Sequence, residues 1–167
     1  QLDLLKNGLT MPPPADAAKA ERLAKIGSDL SAMYGSGEYC SEDGTCKSLV
    51  EMSSEMATLR DADKLLEYWA GWREISKPMA PLYAEQVELA NEGAAELGFE
   101  NVSALWRGKY DMPADEFPKE LDRLWTQVEP FYESLHCHVR AKLGEHYGEN
   151  VVPQDKPIPA HLLGNMW

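Results

Sequence analysis

Four histidines, at positions 136, 138, 146 and 161, and three cysteines, at 40, 46 and 137, are the side chains best suited to holding a metal or forming a covalent bond. The run His136-Cys137-His138 invites a metal reading. Geometry rejects it, because consecutive helix residues point about 100° apart and three neighbours cannot converge on one ion. No two histidines have the i, i+4 spacing that lets one helix present a pair to zinc. His138 and His146 stand two turns apart, about 12 Å along a helix. Glu133 and His136 sit at i, i+3 and read as a solvated pair. No metal ligand set is therefore expected, and Cys137 reads as a packed or surface thiol. The 28 acidic residues are spread along the chain without a paired cluster that would raise a carboxyl pKa for acid–base work. Cys40 and Cys46 flank a loop with Gly44 at its bend. Their spacing does not suit a zinc half-site. A local disulfide is the favoured reading, two free thiols the alternative, and a disulfide implies an oxidising compartment.

Two cations stand out. Arg73 follows Gly71-Trp72 in an aromatic-rich stretch. By spacing alone the simpler reading is a surface arginine whose stem covers a tryptophan. The sharper one is a buried cation in need of a carboxylate or a bound anion. Trp106-Arg107-Gly108-Lys109-Tyr110 poses the same choice. Asn101-Val102-Ser103 has the pattern of a glycosylation acceptor, relevant only in a host that glycosylates.

The elements that must position these residues read as helices, and the fold class expected is all-α. The organising element is a long helix over about 115–148. Its apolar residues Leu121, Leu124, Trp125, Val128, Tyr132, Leu135, Val139 and Leu143 recur at steps of three and four. Asp115 is the expected N-cap, Pro118 falls in the tolerant first turn, and Pro130 is expected to kink the helix without ending it. Gly148 is the expected stop. A helix this long needs a wide apolar surface, which the rest of the chain is expected to supply. The other helices are expected over Asp16–Tyr34, Ser48–Leu59, Ala62–Ser76 with Asp61 as cap, Pro81–Leu97 and Asn101–Tyr110. Leu2–Leu9 reads as a helix end with Gly8 near its C-cap. Pro12-Pro13-Pro14 is an extended spacer. No alternating strand pattern of useful length is visible. The helix around Trp69 is expected to pack on the long one.

Composition bounds the partners. A formal net charge of −12 argues against nucleic acid and anionic membrane surfaces, both of which attract basic patches. No run of apolar residues is long enough for a membrane span. The chain starts at Gln1 and ends in an apolar Met166-Trp167 pair, so it reads as one stretch of a longer domain, truncated at both ends.

Four ordered motifs carry a resemblance. Pro157-Ile158-Pro159-Ala160-His161-Leu162-Leu163-Gly164-Asn165-Met166-Trp167 is similar to the P-I-P-A-H-L-L-G-[ND]-M-W segment of the angiotensin-converting enzyme family. Leu135-His136-Cys137-His138-Val139-Arg140-Ala141-Lys142-Leu143 resembles its L-H-A-Y-V-R-x-x-L. Leu65-Leu66 and Trp69-Ala70-Gly71-Trp72-Arg73 resemble its L-W-A-W-E-G-W-R helix. Tyr34 to Cys46 resembles its first disulfide loop. Ala70 and Cys137 depart from the pattern.

The resemblance implies part of a secreted or periplasmic, all-α zinc peptidase that removes C-terminal dipeptides from peptide substrates. The family holds zinc through H-E-x-x-H and a later glutamate, a motif absent between Gln1 and Trp167, so this span is expected to be scaffold ahead of the catalytic segment. The family also binds chloride, and by position Arg73 and Tyr110 would be chloride ligands, with Cys40 and Cys46 the disulfide. The competing readings are a non-catalytic helical binding or receptor-like module of the same fold, and an unrelated helical interaction domain.

Overall fold

The structure is a computed structural model that describes Leu5, Lys6 and residues 8–167. The helix end expected over Leu2–Leu9 lies largely outside the described residues. Within it, Leu5 and Lys6 are helical, and Gly8 N donates to Leu5 O at 3.2 Å.

The chain is mostly helical. Helix α1 spans Ala17–Gly35. The Asp16 carboxylate accepts from the amides of Ala18 and Lys19, two of the donors a helix start leaves unpaired. A short hairpin follows, strand β1 (Glu38–Cys40) antiparallel to β2 (Cys46–Ser48). The hairpin falls in the stretch read from sequence as a turn-rich loop, and the chain remains mostly helical, as the all-α reading expects. Three-residue strands are too short for an alternating pattern to show in sequence. Helix α2 covers Leu49–Met56 and starts with a capping box: Ser48 accepts from Glu51 N, and the Glu51 side chain reaches back to Ser48 N. Helix α3 runs Ala62–Ser76 from the Asp61 cap. A 3-10 turn, Lys77–Met79, leads into α4 (Ala80–Glu96), and Asn101 caps α5 (Val102–Arg107). The long helix α6 spans Phe117–Tyr147 and continues through Pro130. It starts two residues beyond Asp115, which therefore is not its N-cap. Gly148 ends it at φ +83°, a left-handed conformation that only glycine adopts without strain. A final 3-10 turn covers Ala160–Leu163.

The residues divide into two compact units, 1–33 with 78–127 and 34–77 with 128–167. In the first, Ile26, Leu30 and Met79 form one buried cluster, and Ala90, Ala94 and Val102 another. In the second, Met52, Met56, Leu65, Tyr68, Trp72, Val152, Leu162 and Met166 form the core, with Leu143 and Tyr147 of α6 packed against it. The aromatic helix α3 thus does share a core with the end of the long helix.

The rest of the apolar stripe of α6 stays largely exposed among the described residues. No residue of this helix is buried, and Leu121, Leu124, Trp125, Val128, Phe131, Tyr132 and Leu135 are 42–70% exposed. The surface expected to cover the stripe is not supplied by the described residues.

Candidate anion site

Helix α3 is amphipathic in an unusual way. Leu65, Tyr68 and Trp72, at i, i+3 and i+7, are buried on one face. Gly71 is buried beside them, and Arg73 follows at the edge of that face, half-buried. Its guanidinium carbon lies 3.2 Å from the centre of the Trp69 ring, a cation–π contact. Nη1 donates to Trp69 O at 2.6 Å, and Nη2 donates to Met166 O at 2.9 Å, 93 residues away in sequence. Among the described residues no carboxylate pairs with Arg73. Burial alone pushes its pKa down, with no acidic neighbour to offset it. An arginine nonetheless stays charged. Two neutral carbonyls and a ring face are a partial solution for a desolvated cation. The Trp69 indole Nε1 is buried and has no hydrogen-bond partner. Arg73 thus carries a charge with no counter-charge among the described residues, on a ring whose own N–H is orphaned. Sequence spacing did not single out Trp69, because its apolar ring alone explains its place on α3.

The opposite flank of α3 is held by the hairpin. Cys40 and Cys46 are register partners and form a disulfide, while Cys137 is a free, exposed thiol. Ser41 Oγ donates to Glu67 Oε1 at 2.6 Å. Lys47 Nζ donates to Tyr68 Oη at 2.7 Å and pairs with Glu55 at 2.5 Å, and Tyr68 Oη donates to Glu55 Oε2 at 2.7 Å. Those bonds hold the Glu55 carboxyl below the usual carboxylate range, Lys47 first and Tyr68 second.

Tyr110 belongs to the first unit. It is 54% exposed and stacks on Phe117 at 4.3 Å between ring centres. Trp106, Arg107, Lys109, Tyr110 and Phe117 line an open cleft of about 340 Å³. Arg107 Nε donates to Ser103 O at 3.4 Å. The cation–aromatic composition of this cleft also suits an anion.

Asn101 uses its side-chain oxygen to cap α5, accepting from Ala104 N at 2.9 Å. The Ser103 of its acceptor triplet is exposed. Among the described residues no three of His, Cys, Asp and Glu come together in a way that could hold a metal ion. His136 packs near Tyr132 and His146 against Tyr147, rather than towards each other. The residues present therefore do not fit a zinc centre, and no chemical step can be derived through one here. No helix among the described residues is long and apolar enough to cross a membrane.

The model of a peptidase family described as angiotensin-converting enzyme matches residues 1–167. The chain is 37% identical over 157 residues to the angiotensin-converting enzyme-like protein Ace3 of Mus musculus, an alignment covering 93% of this chain and 21% of that protein. It is 38% identical over 141 residues to the angiotensin-converting enzyme of Bos taurus, covering 83% of this chain and 11% of that one. The angiotensin-converting enzyme of Theromyzon tessulatum is 37% identical over 153 residues, 88% of this chain and 24% of the relative. The chain thus spans a quarter or less of the length of these relatives.

Proposed function

Because this chain belongs to the angiotensin-converting enzyme family, we propose that it is part of a zinc-dependent peptidyl-dipeptidase, a hydrolase that releases C-terminal dipeptides from oligopeptides. The observation that carries this reading is the family match along all of residues 1–167. In it, the span is one stretch of a single larger peptidase domain, and the zinc ligands lie outside it. Zinc, when bound there, supplies Lewis-acid chemistry and an activated water.

The span's own contribution is structural and electrostatic. Arg73, with its guanidinium on Trp69 and without a carboxylate partner, supplies the charge for one chloride site. Tyr110, beside Arg107 and Lys109, would serve a second chloride site. The Cys40–Cys46 disulfide supports a secreted or periplasmic location, where disulfides persist. Asn101 is a glycosylation site if the host is one that glycosylates.

Chloride titration of the longer protein's peptidase activity tests the anion assignments. Arg73→Ala is expected to lower chloride sensitivity, and Tyr110→Phe to shift the midpoint of activation. A chloride response identical in both variants would remove the two assignments. A longer protein that binds no zinc and releases no dipeptide would favour the non-catalytic binding module instead.

A further inference from the structure

Gly71 has no room for a side chain. A Cβ built there would fall within 2.6 Å of Tyr39 Cζ and nearer still to Cδ2 and Cε2. Real Cβ atoms do not approach neighbours that closely, so the bare backbone of α3 rests against the Tyr39 ring. The ring in turn has little freedom. Tyr39 sits beside Cys40, which is bonded to Cys46, and its register partner is Lys47, which is tied to Glu55 and Tyr68. Its hydroxyl reaches Glu67 Oε1 at 3.5 Å, and Ser41 is bonded to the same carboxylate. On the far side, α3 meets the C-terminal segment, where Arg73 donates to Met166 O. Residues two apart on a helix point about 200° from each other, so Gly71 and Arg73 face opposite sides. Helix α3 is therefore held between a braced aromatic ring and the carbonyl that orients Arg73.

We propose that Tyr39 and Gly71 are a positioning pair for Arg73: the disulfide-braced hairpin sets, through this contact, where α3 places its guanidinium. The consequence for anion binding rests on the reading of Arg73 as a chloride ligand. The positional claim does not.

The test uses the longer protein and two readouts, the half-activating chloride concentration and backbone amide exchange over Tyr68–Ser76. Gly71→Ala pushes α3 off the ring. It is expected to raise half-activating chloride by about fivefold or more, the lower end of site-to-site coupling. Exchange over Tyr68–Ser76 should quicken while that of α2 does not. Adding Tyr39→Ala removes the obstacle, so the double variant should show no more than the defect of Tyr39→Ala alone. A wild-type chloride midpoint in Gly71→Ala, or a double variant whose defect is the sum of the two single ones, would overturn the proposal. Should Gly71→Ala fail to fold, Tyr39→Ala and Tyr39→Phe decide it. Losing the ring should raise the midpoint and the exchange, losing only the hydroxyl should change neither, and equal effects would overturn the pairing. If the wild-type protein ignores chloride, the anion reading fails. Exchange then decides the positional claim alone, and unchanged exchange in Gly71→Ala defeats it.

Discussion

Tyr68 shows how much a single buried hydroxyl organises. The residue is 2% exposed, and its Oη joins Lys47 and Glu55 into one network under two cations, Lys47 and Lys64, that sit 5.0 and 5.1 Å from its ring centre. Tyr68→Phe removes the bridge and should cost about 1–2 kcal/mol, read as a lower urea midpoint with unchanged slope. His161 gives a pH prediction. Burial lowers its pKa below the ordinary 6.5, with Asp63 pulling weakly the other way. A depressed pKa means the folded chain favours the neutral imidazole. Stability is therefore fully present above pH 6.5 and is lost as pH falls through the folded value. His161→Gln should flatten the thermal-midpoint profile below pH 6.5, and an unaltered profile would contradict this. At this scale the sequence was a partial guide. Spacing alone favoured a surface arginine at position 73, whereas its guanidinium lies half-buried on the Trp69 ring. Spacing was silent on the Met166 carbonyl, because a contact spanning 93 residues leaves no local trace.

The elements were more legible where termini carry their own chemistry. Asp16, Asp61 and Asn101 all accept hydrogen bonds from helix-start amides, and Gly98 and Gly148 take left-handed conformations after α4 and α6. Where the signal is weaker the bounds moved: α2 ends at Met56 rather than Leu59, α5 at Arg107 rather than Tyr110, and α6 begins at Phe117 without the Asp115 cap. The hairpin was missed because its order comes from the disulfide and from α3 rather than from strand periodicity. Two predictions belong here. Ser48→Ala breaks the capping box of α2 and should cost about 1 kcal/mol in thermal or urea unfolding. Cys40→Ser with Cys46→Ser opens a short loop and should cost about 2 kcal/mol by chain entropy, with β1 and β2 the first segments to lose amide protection.

For the molecule as a whole, the uncovered stripe of α6 is the feature to be explained. A run of large apolar side chains, each 42–70% exposed, is unusual on a finished surface and marks a face that packs on something else. The periodicity of that stripe was plain in the sequence, but what covers it was not, since pattern reports a buried face without naming its partner. In the proposed reading the cover is the remainder of the peptidase domain. Leu124→Ala and Leu135→Ala should then change the stability of residues 1–167 alone by less than about 0.5 kcal/mol, and that of the longer protein by about 2–5 kcal/mol each. The central claim, that this chain is non-metal scaffold of a zinc dipeptidyl carboxypeptidase, is tested most directly by one paired measurement. Residues 1–167 and the longer protein are purified side by side and assayed for bound zinc and for dipeptide release from a peptide with a free C-terminus. The account predicts stoichiometric zinc and chelator-sensitive release in the longer protein, and neither in residues 1–167. Chelator-sensitive release by residues 1–167 alone, or a zinc-loaded longer protein that frees no dipeptide, would contradict it.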